Sequence, residues 1–162
     1  MGISVRHFVL LFVLMLLGVK TQAENLSGLV VRVADGDTVT VLVDKNEIKV
    51  RLAGIDAPEK KQPYGTASKK NLSELTYQKV VTLQCGKTDR YKRRVCTVLN
   101  GDQDVCLAQI QSGMAWWYRK YAREQTKEER ASYAAAEEDA RLAQRGLWSD
   151  NDPAPPWEWR HR

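Results

Sequence analysis

The sequence predicts an α+β protein that is mainly β: a small barrel of five short antiparallel strands, one helix inserted after the third strand and two more at the end. Three observations carry that expectation. The first half of the chain alternates short runs rich in valine, isoleucine and threonine with turn-forming pairs such as Asp35-Gly36. Pro58 follows the third run and lacks the N–H that a sheet ladder requires, so that run stops near Asp56. The second half carries helix start and stop signals instead, among them Thr126 three residues before Glu129 and the glycines at 113 and 146.

Taken in order, residues 1–23 read as a secretory leader, with Arg6 and His7 in front, an apolar run from Phe8 to Val19, and small residues up to Ala23. The run is short for a membrane span. The expectation is therefore a secreted or periplasmic protein, with an uncleaved leader anchoring it to a membrane as the alternative. Residues 24–149 form the domain, beginning with strands over 29–33, 38–43 and 48–55 joined by turns at 34–38 and 44–47. A helix follows over 66–76. Strands over 80–85 and 94–99 flank a charged stretch at 87–93, and a helix over 104–112 ends at Gly113. Trp116, Trp117 and Tyr118 form an aromatic cluster that either packs on the core or offers a stacking face for bases. The capping box opens a helix running to about residue 144, whose inner side is Tyr133, Ala136, Ala140 and Leu147 and whose charges face solvent. Residues 150–162 form a tail rich in proline and tryptophan. Five such strands with a helix after the third suit an OB-type Greek-key barrel.

Composition narrows the chemistry. The chain has 162 residues, enough for one domain with an ordinary core, and a formal net charge of +5 that falls by two if Arg6 and Lys20 leave with the leader. That excess permits a polyanionic substrate without requiring one. After the leader the single histidine is His161, one residue from the chain end, so mechanisms built on a histidine base or ligand lose their main actor. No Cys-x-x-Cys spacing is present, which argues against zinc. Of Cys85, Cys96 and Cys106, the last two flank the turn at Asn100-Gly101-Asp102 and are the expected disulfide, leaving Cys85 over.

What chemistry remains must run on carboxylates, arginines, backbone and a hard cation. In a three-stranded meander the first turn and the end of the third strand lie at one end of the sheet. Asp37 and Asp56 could then share a calcium ion, which accepts several oxygens and relieves the repulsion between two carboxylates. Arg51 and Arg93 each present a planar fork of donors suited to phosphate. Glu59 completes the set as a base acting on water. Each of these residues also has a plainer use, in a turn or a salt bridge.

The residues Val33-Ala34-Asp35-Gly36-Asp37-Thr38, Arg51-Leu52-Ala53-Gly54-Ile55-Asp56-Ala57-Pro58-Glu59, Asp89-Arg90-Tyr91-Lys92-Arg93 and Gly146-Leu147-Trp148 resemble, in order and spacing, the thermonuclease or staphylococcal nuclease-like family. That resemblance covers roughly residues 29–149. It implies an OB barrel with three helices and a Ca2+-dependent phosphodiesterase that cuts DNA and RNA, as single strands or frayed duplex, leaving 3′-phosphates. It further implies that Asp37, Asp56 and the backbone carbonyl of Ala57 bind the calcium, with Asp35 in its outer shell through water. Arg51 and Arg93 would hold the scissile phosphate, and Glu59 would be the general base. Arg90 and Tyr91 would hold a neighbouring phosphate, and Tyr118 or Tyr121 would stack on bases. The implied state is a monomer with no protein partner. Two departures stand out: Lys92 occupies a position where the family usually has glycine, and the connection from Glu59 to the first helix is shorter. The rival expectation is a non-catalytic OB module that binds nucleic acid or protein, which would predict loss of the acidic and arginine set.

Overall fold

The structure, a computed structural model, describes residues 24–162. The leader expected over residues 1–23 lies outside the described residues. Strand β1 (Glu24–Val33) pairs antiparallel with β2 (Thr38–Val43), which pairs with β3 (Asn46–Leu52). On its other edge β1 pairs antiparallel with β5 (Val80–Thr88), and β5 pairs with β6 (Arg94–Asn100). The parallel pairing of β3 with β6, Val50 opposite Arg94 and Leu52 opposite Cys96, closes the five strands into a barrel of the OB type. A register shift between Val30 and Arg32 bends β1 so that one strand can serve both neighbours.

The core is what alternation predicts. Val39, Val41, Val50, Leu52, Val81, Leu83 and Val98 point inward and are almost completely buried. Helix α1 (Gly65–Thr76) closes one side with Leu72, and α2 (Val105–Gln111), capped by Asp104 accepting from the Leu107 N–H, adds Val105 and Ile110. Helix α3 (Lys127–Leu142) begins at the full reciprocal capping box of Thr126 and Glu129 and buries Tyr133, Ala136 and Ala140. Among the described residues no helix is long and apolar enough to cross a membrane.

Several expectations need correction. The third strand is two strands: Gly54, at φ 71°, turns the chain after Leu52, and β4 (Ile55–Asp56) leaves the barrel to pair with β8 (Trp116–Trp117). The two-residue hairpin turn with positive φ falls at Asp44 and Lys45, not at Asp35-Gly36. Gly36 is needed for a different reason: a Cβ there would sit 1.9 Å from the Ser68 hydroxyl of α1. The disulfide joins Cys85 to Cys96, which lie directly opposite on β5 and β6, while Cys106 is a free, buried thiol on α2. Flanking a turn does not make two cysteines neighbours: after β6 the chain forms only the short β7 (Gln103–Asp104) before entering the helix that carries Cys106 inward. The charges of α3 are not all solvated, because Glu137 is buried, accepting from the Trp117 N–H and pairing with Arg119 at 2.7 Å. The proline-rich composition of the tail reads as irregular chain, but it forms the short helix α4 (Pro156–Trp159).

Candidate active site

At one end of the barrel, β3 delivers Arg51 directly opposite Thr38 at the start of β2. The Leu52 N–H donates to the Asp37 carbonyl at 2.8 Å, which draws the acidic turn against the end of β3. Asp37 Oδ2 then accepts from the Ala57 N–H at 2.9 Å, fixing that carboxylate beside Asp56. One nitrogen, Arg51 Nη2, contacts both acids: Asp56 Oδ1 at 2.9 Å and Asp37 Oδ2 at 3.2 Å. The other amino group, Nη1, donates to the Leu52 carbonyl at 2.8 Å. Side chains of Arg51, Asp37 and Asp56 are 13%, 10% and 2% exposed, so this ion cluster is screened little by solvent.

Electrostatics follow from that crowding. Burial holds Asp56 above the ordinary carboxylate range even though Arg160 and Arg51 both pull it down. Burial by itself would lower Arg51, but the carboxylates of Asp37, Asp56 and Asp35 reverse the sign and raise it. Asp35 accepts the Asp37 N–H at 3.1 Å; burial, then the neighbouring Asp37 charge, raise it from 3.8 to about 6. Because the folded value exceeds the unfolded one, the stability this group contributes is present below about pH 4 and lost as pH rises through 6. Asp35→Asn keeps the acceptor and removes the charge. In chelator at pH 8 it is expected to be more stable than the parent by on the order of 1–2 kcal/mol, with the gain fading toward pH 4. Urea unfolding at the two pH values measures this, and an equal difference at both would show that Asp35 ionisation is not the cause.

Arg93 stands beside the same cluster, linked to Asp37 through Thr38. Its Nε donates to Asp89 Oδ2 at 2.8 Å and Nη1 reaches Thr38 Oγ1 at 3.3 Å; that hydroxyl in turn donates to Asp37 Oδ1 at 3.0 Å. Burial pushes Asp89 upward, but the hydrogen bonds from the Arg93 backbone and side chain and from the Tyr91 N–H together outweigh it and hold the carboxylate below its usual range. Lys92 takes φ 63°, the left-handed conformation that glycine adopts without strain, so the turn keeps its shape despite the side chain. Arg90 and Tyr91 are exposed beside it, Arg90 Nη2 donating to the Tyr91 hydroxyl at 2.6 Å. Tyr118 and Tyr121 meet edge to face at 5.1 Å, and Tyr118 stacks on Trp157 at 5.2 Å. Glu59 is half exposed on the loop after β4, its Oε1 accepting from Arg160 Nη1 at 2.7 Å.

Three contributors escaped sequence reasoning. Arg160 donates to Asp56 Oδ2 at 2.6 Å as well as to Glu59. The buried Gln109 of α2 donates to the Gly36 carbonyl at 2.6 Å, tying the acidic turn to the helical layer, and is itself held by Asn71. Gln62 accepts from the Glu59 N–H at 3.0 Å and donates to the Ala154 carbonyl at 2.6 Å, linking the Glu59 loop to the tail. A buried glutamine between two helices and a turn has no short sequence signature. Arginine in a chain-end tail has none either.

The donors offered to a metal are oxygens only, which suits a hard cation such as calcium. Among the described residues no three acidic, histidine or cysteine side chains cluster closely enough to hold an ion by themselves. An ion on Asp37 and Asp56 would therefore take its remaining ligands from backbone carbonyls and water, a mixture calcium accepts.

Fold and site together define an OB-barrel protein with two buried carboxylates bridged by an arginine at one end of the barrel. The chain belongs to the staphylococcal nuclease homologue family, which its residues 49–150 match. It is 45% identical over 134 residues to an uncharacterized endonuclease of Haemophilus influenzae, covering 82% of this chain and 72% of that one. To the micrococcal nuclease of Shigella flexneri it is 39% identical over 142 residues, 82% of this chain and 79% of the relative. Protein ParB of Escherichia coli is 40% identical over 145 residues, 84% and 80% of the two chains. The acidic turn at Asp35–Asp37 and the tail after residue 150 fall outside the segment that matches the family.

Proposed function

We propose that this chain is an exported, calcium-dependent nuclease that hydrolyses phosphodiester bonds of DNA and RNA and leaves 3′-phosphates. The observation that carries the proposal is the sharing of Arg51 Nη2 between Asp37 and Asp56, which gathers two carboxylates and a phosphate-type donor at one point. Family membership and the nuclease names of its relatives support the reaction class.

In this reading Asp37, Asp56 and the Ala57 carbonyl hold the calcium, with Asp35 acting through water. Bound calcium supplies positive charge beside the phosphate and orients the phosphate against its attacker. Glu59 accepts the proton of the attacking water, which is set in line with the leaving oxygen. Arg51 and Arg93 stabilise the charge that builds on the phosphoryl oxygens. Arg90 and Tyr91 hold a flanking phosphate, and Tyr118 or Tyr121 stacks on a base. Such stacking needs an unpaired base, so single strands and frayed duplex are the preferred substrates of a monomeric enzyme. The Cys85–Cys96 disulfide supports an oxidising, exported location.

The test is digestion of end-labelled single-stranded DNA and RNA by the parent and by Glu59→Gln. Products ending in 3′-phosphate, with cleavage by the variant lower by roughly 10²–10⁴-fold, are expected. Products bearing 3′-hydroxyls overturn the proposed bond choice, and undiminished cleavage by the variant removes Glu59 as the base.

A further inference from the structure

The tail after residue 150 folds back onto the site. Pro156 is buried, and the Gln62 amide holds the Ala154 carbonyl at 2.6 Å beside the Glu59 loop. Trp157 lies parallel to Tyr118, ring centres 5.2 Å apart and planes within 8°, and meets Trp116 edge to face at 5.7 Å. From that anchor Arg160 reaches back, Nη2 to Asp56 Oδ2 at 2.6 Å and Nη1 to Glu59 Oε1 at 2.7 Å. Nη1 also stands 3.4 Å from Asp56 Oδ1, the oxygen that Arg51 holds.

Both oxygens of Asp56 are thus taken by guanidinium groups, and the proposed base is paired to the same arginine. A calcium ion and Arg160 need the same oxygen, and two positive charges at bonding distance from one carboxylate oxygen repel strongly. The Trp157 ring covers a face of Tyr118 that a base would otherwise use.

We propose that residues 150–162 form an autoinhibitory strap, in which Arg160 stands in for the cation on Asp56 and Glu59 while Trp157 stands in for a base on Tyr118. The proposal rests on the nuclease reading above and adds its regulation. Calcium and single-stranded nucleic acid each compete with the strap, so each binds more tightly once it is weakened. The strap is held by the buried Pro156, by the contacts of Trp157 with Tyr118 and Trp116, and by a few hydrogen bonds, none of them to the five barrel strands, so binding at the site can lift it without unfolding the barrel. Tail cleavage before Trp157 would have the same effect permanently.

The test uses the full chain, Arg160→Ala and Trp157→Ala, with calcium alone as the first probe and a short single-stranded DNA as the second. Calorimetric titration is expected to show calcium binding Arg160→Ala about ten- to a hundredfold more tightly than the parent, the range expected for losing competing hydrogen bonds to charged groups. Trp157→Ala is expected to tighten both calcium and DNA binding. In the parent, calcium is expected to speed amide exchange at Glu158, Trp159 and Arg160, whose N–H groups close the tail helix. Unchanged or weaker calcium affinity in Arg160→Ala, in a parent that binds calcium and cuts DNA, overturns the strap and leaves the nuclease reading standing. A fall in cleavage rate at saturating calcium in Arg160→Ala also overturns it, assigning Arg160 to the phosphate instead. A parent that neither binds calcium nor cuts DNA overturns the nuclease reading and the strap with it.

Discussion

Arg51→Ala is expected to lower the rate of phosphodiester cleavage by about three to five orders of magnitude, comparable to losing other transition-state charge partners. The same change should destabilise the apo protein by roughly 3–5 kcal/mol, because two buried carboxylates lose the cation between them. The two effects are separable. Saturating calcium can replace the lost positive charge between Asp37 and Asp56, so the stability deficit should shrink when calcium is added. The cleavage deficit should not, since nothing then replaces the donor fork on the phosphate. Denaturant unfolding and single-turnover cleavage, each with and without calcium, provide the four numbers. Recovery of full cleavage in calcium would remove Arg51 from the phosphate and leave it a structural counter-ion.

Chelation is the second large effect. With EGTA in excess, cleavage of plasmid DNA and of RNA is expected to stop, and calcium is expected to restore it. The physical ground is the donor set: two carboxylates drawn together at the end of β3, to which calcium can add the carbonyl and water ligands it accepts. Calcium at a hundred times its dissociation constant should also raise the stability by about 2.7 kcal/mol through linkage. Full activity in chelator refutes the cation model. Unchanged melting across the calcium titration would show that the folded chain does not bind the ion in preference to the unfolded chain.

Most of the barrel was legible from the chain because it depends on local signals. The β-branched run over 38–43, the Gly113 stop and the Thr126–Glu129 cap each act within a few residues and formed the elements expected of them, whereas the third run split at Gly54 and the last long helix ended at Leu142, before Gly146. Asp37, Arg51 and Asp56 could be brought together by reasoning about a meander, since they lie at neighbouring strand ends. What failed depended on contacts that no local pattern encodes. The partner of Cys96 is decided by which strand lies beside β6, and that strand is β5. The glycine at 36 is demanded by Ser68 on a helix across the barrel mouth, not by the turn it sits in. Arg160 meets Asp56 across 104 positions of sequence because a proline-bounded tail folds back over the mouth. The same argument explains Glu137, which reads as one more charge on an exposed helix until Trp117 and Arg119 are packed against it.

The bond between Cys85 and Cys96 closes residues 86–95 into a covalent ring, and Asp89, Arg90, Tyr91 and Arg93 all sit within it. Tyr91 and Lys92 are the exposed tip of that ring, a kind of place where proteases nick a chain. Such a nick opens the chain but frees no fragment, because both new ends stay fastened to adjacent strands. Arg93 would remain beside Thr38 and the carboxylates, so a chain clipped in this loop would keep its parts in place.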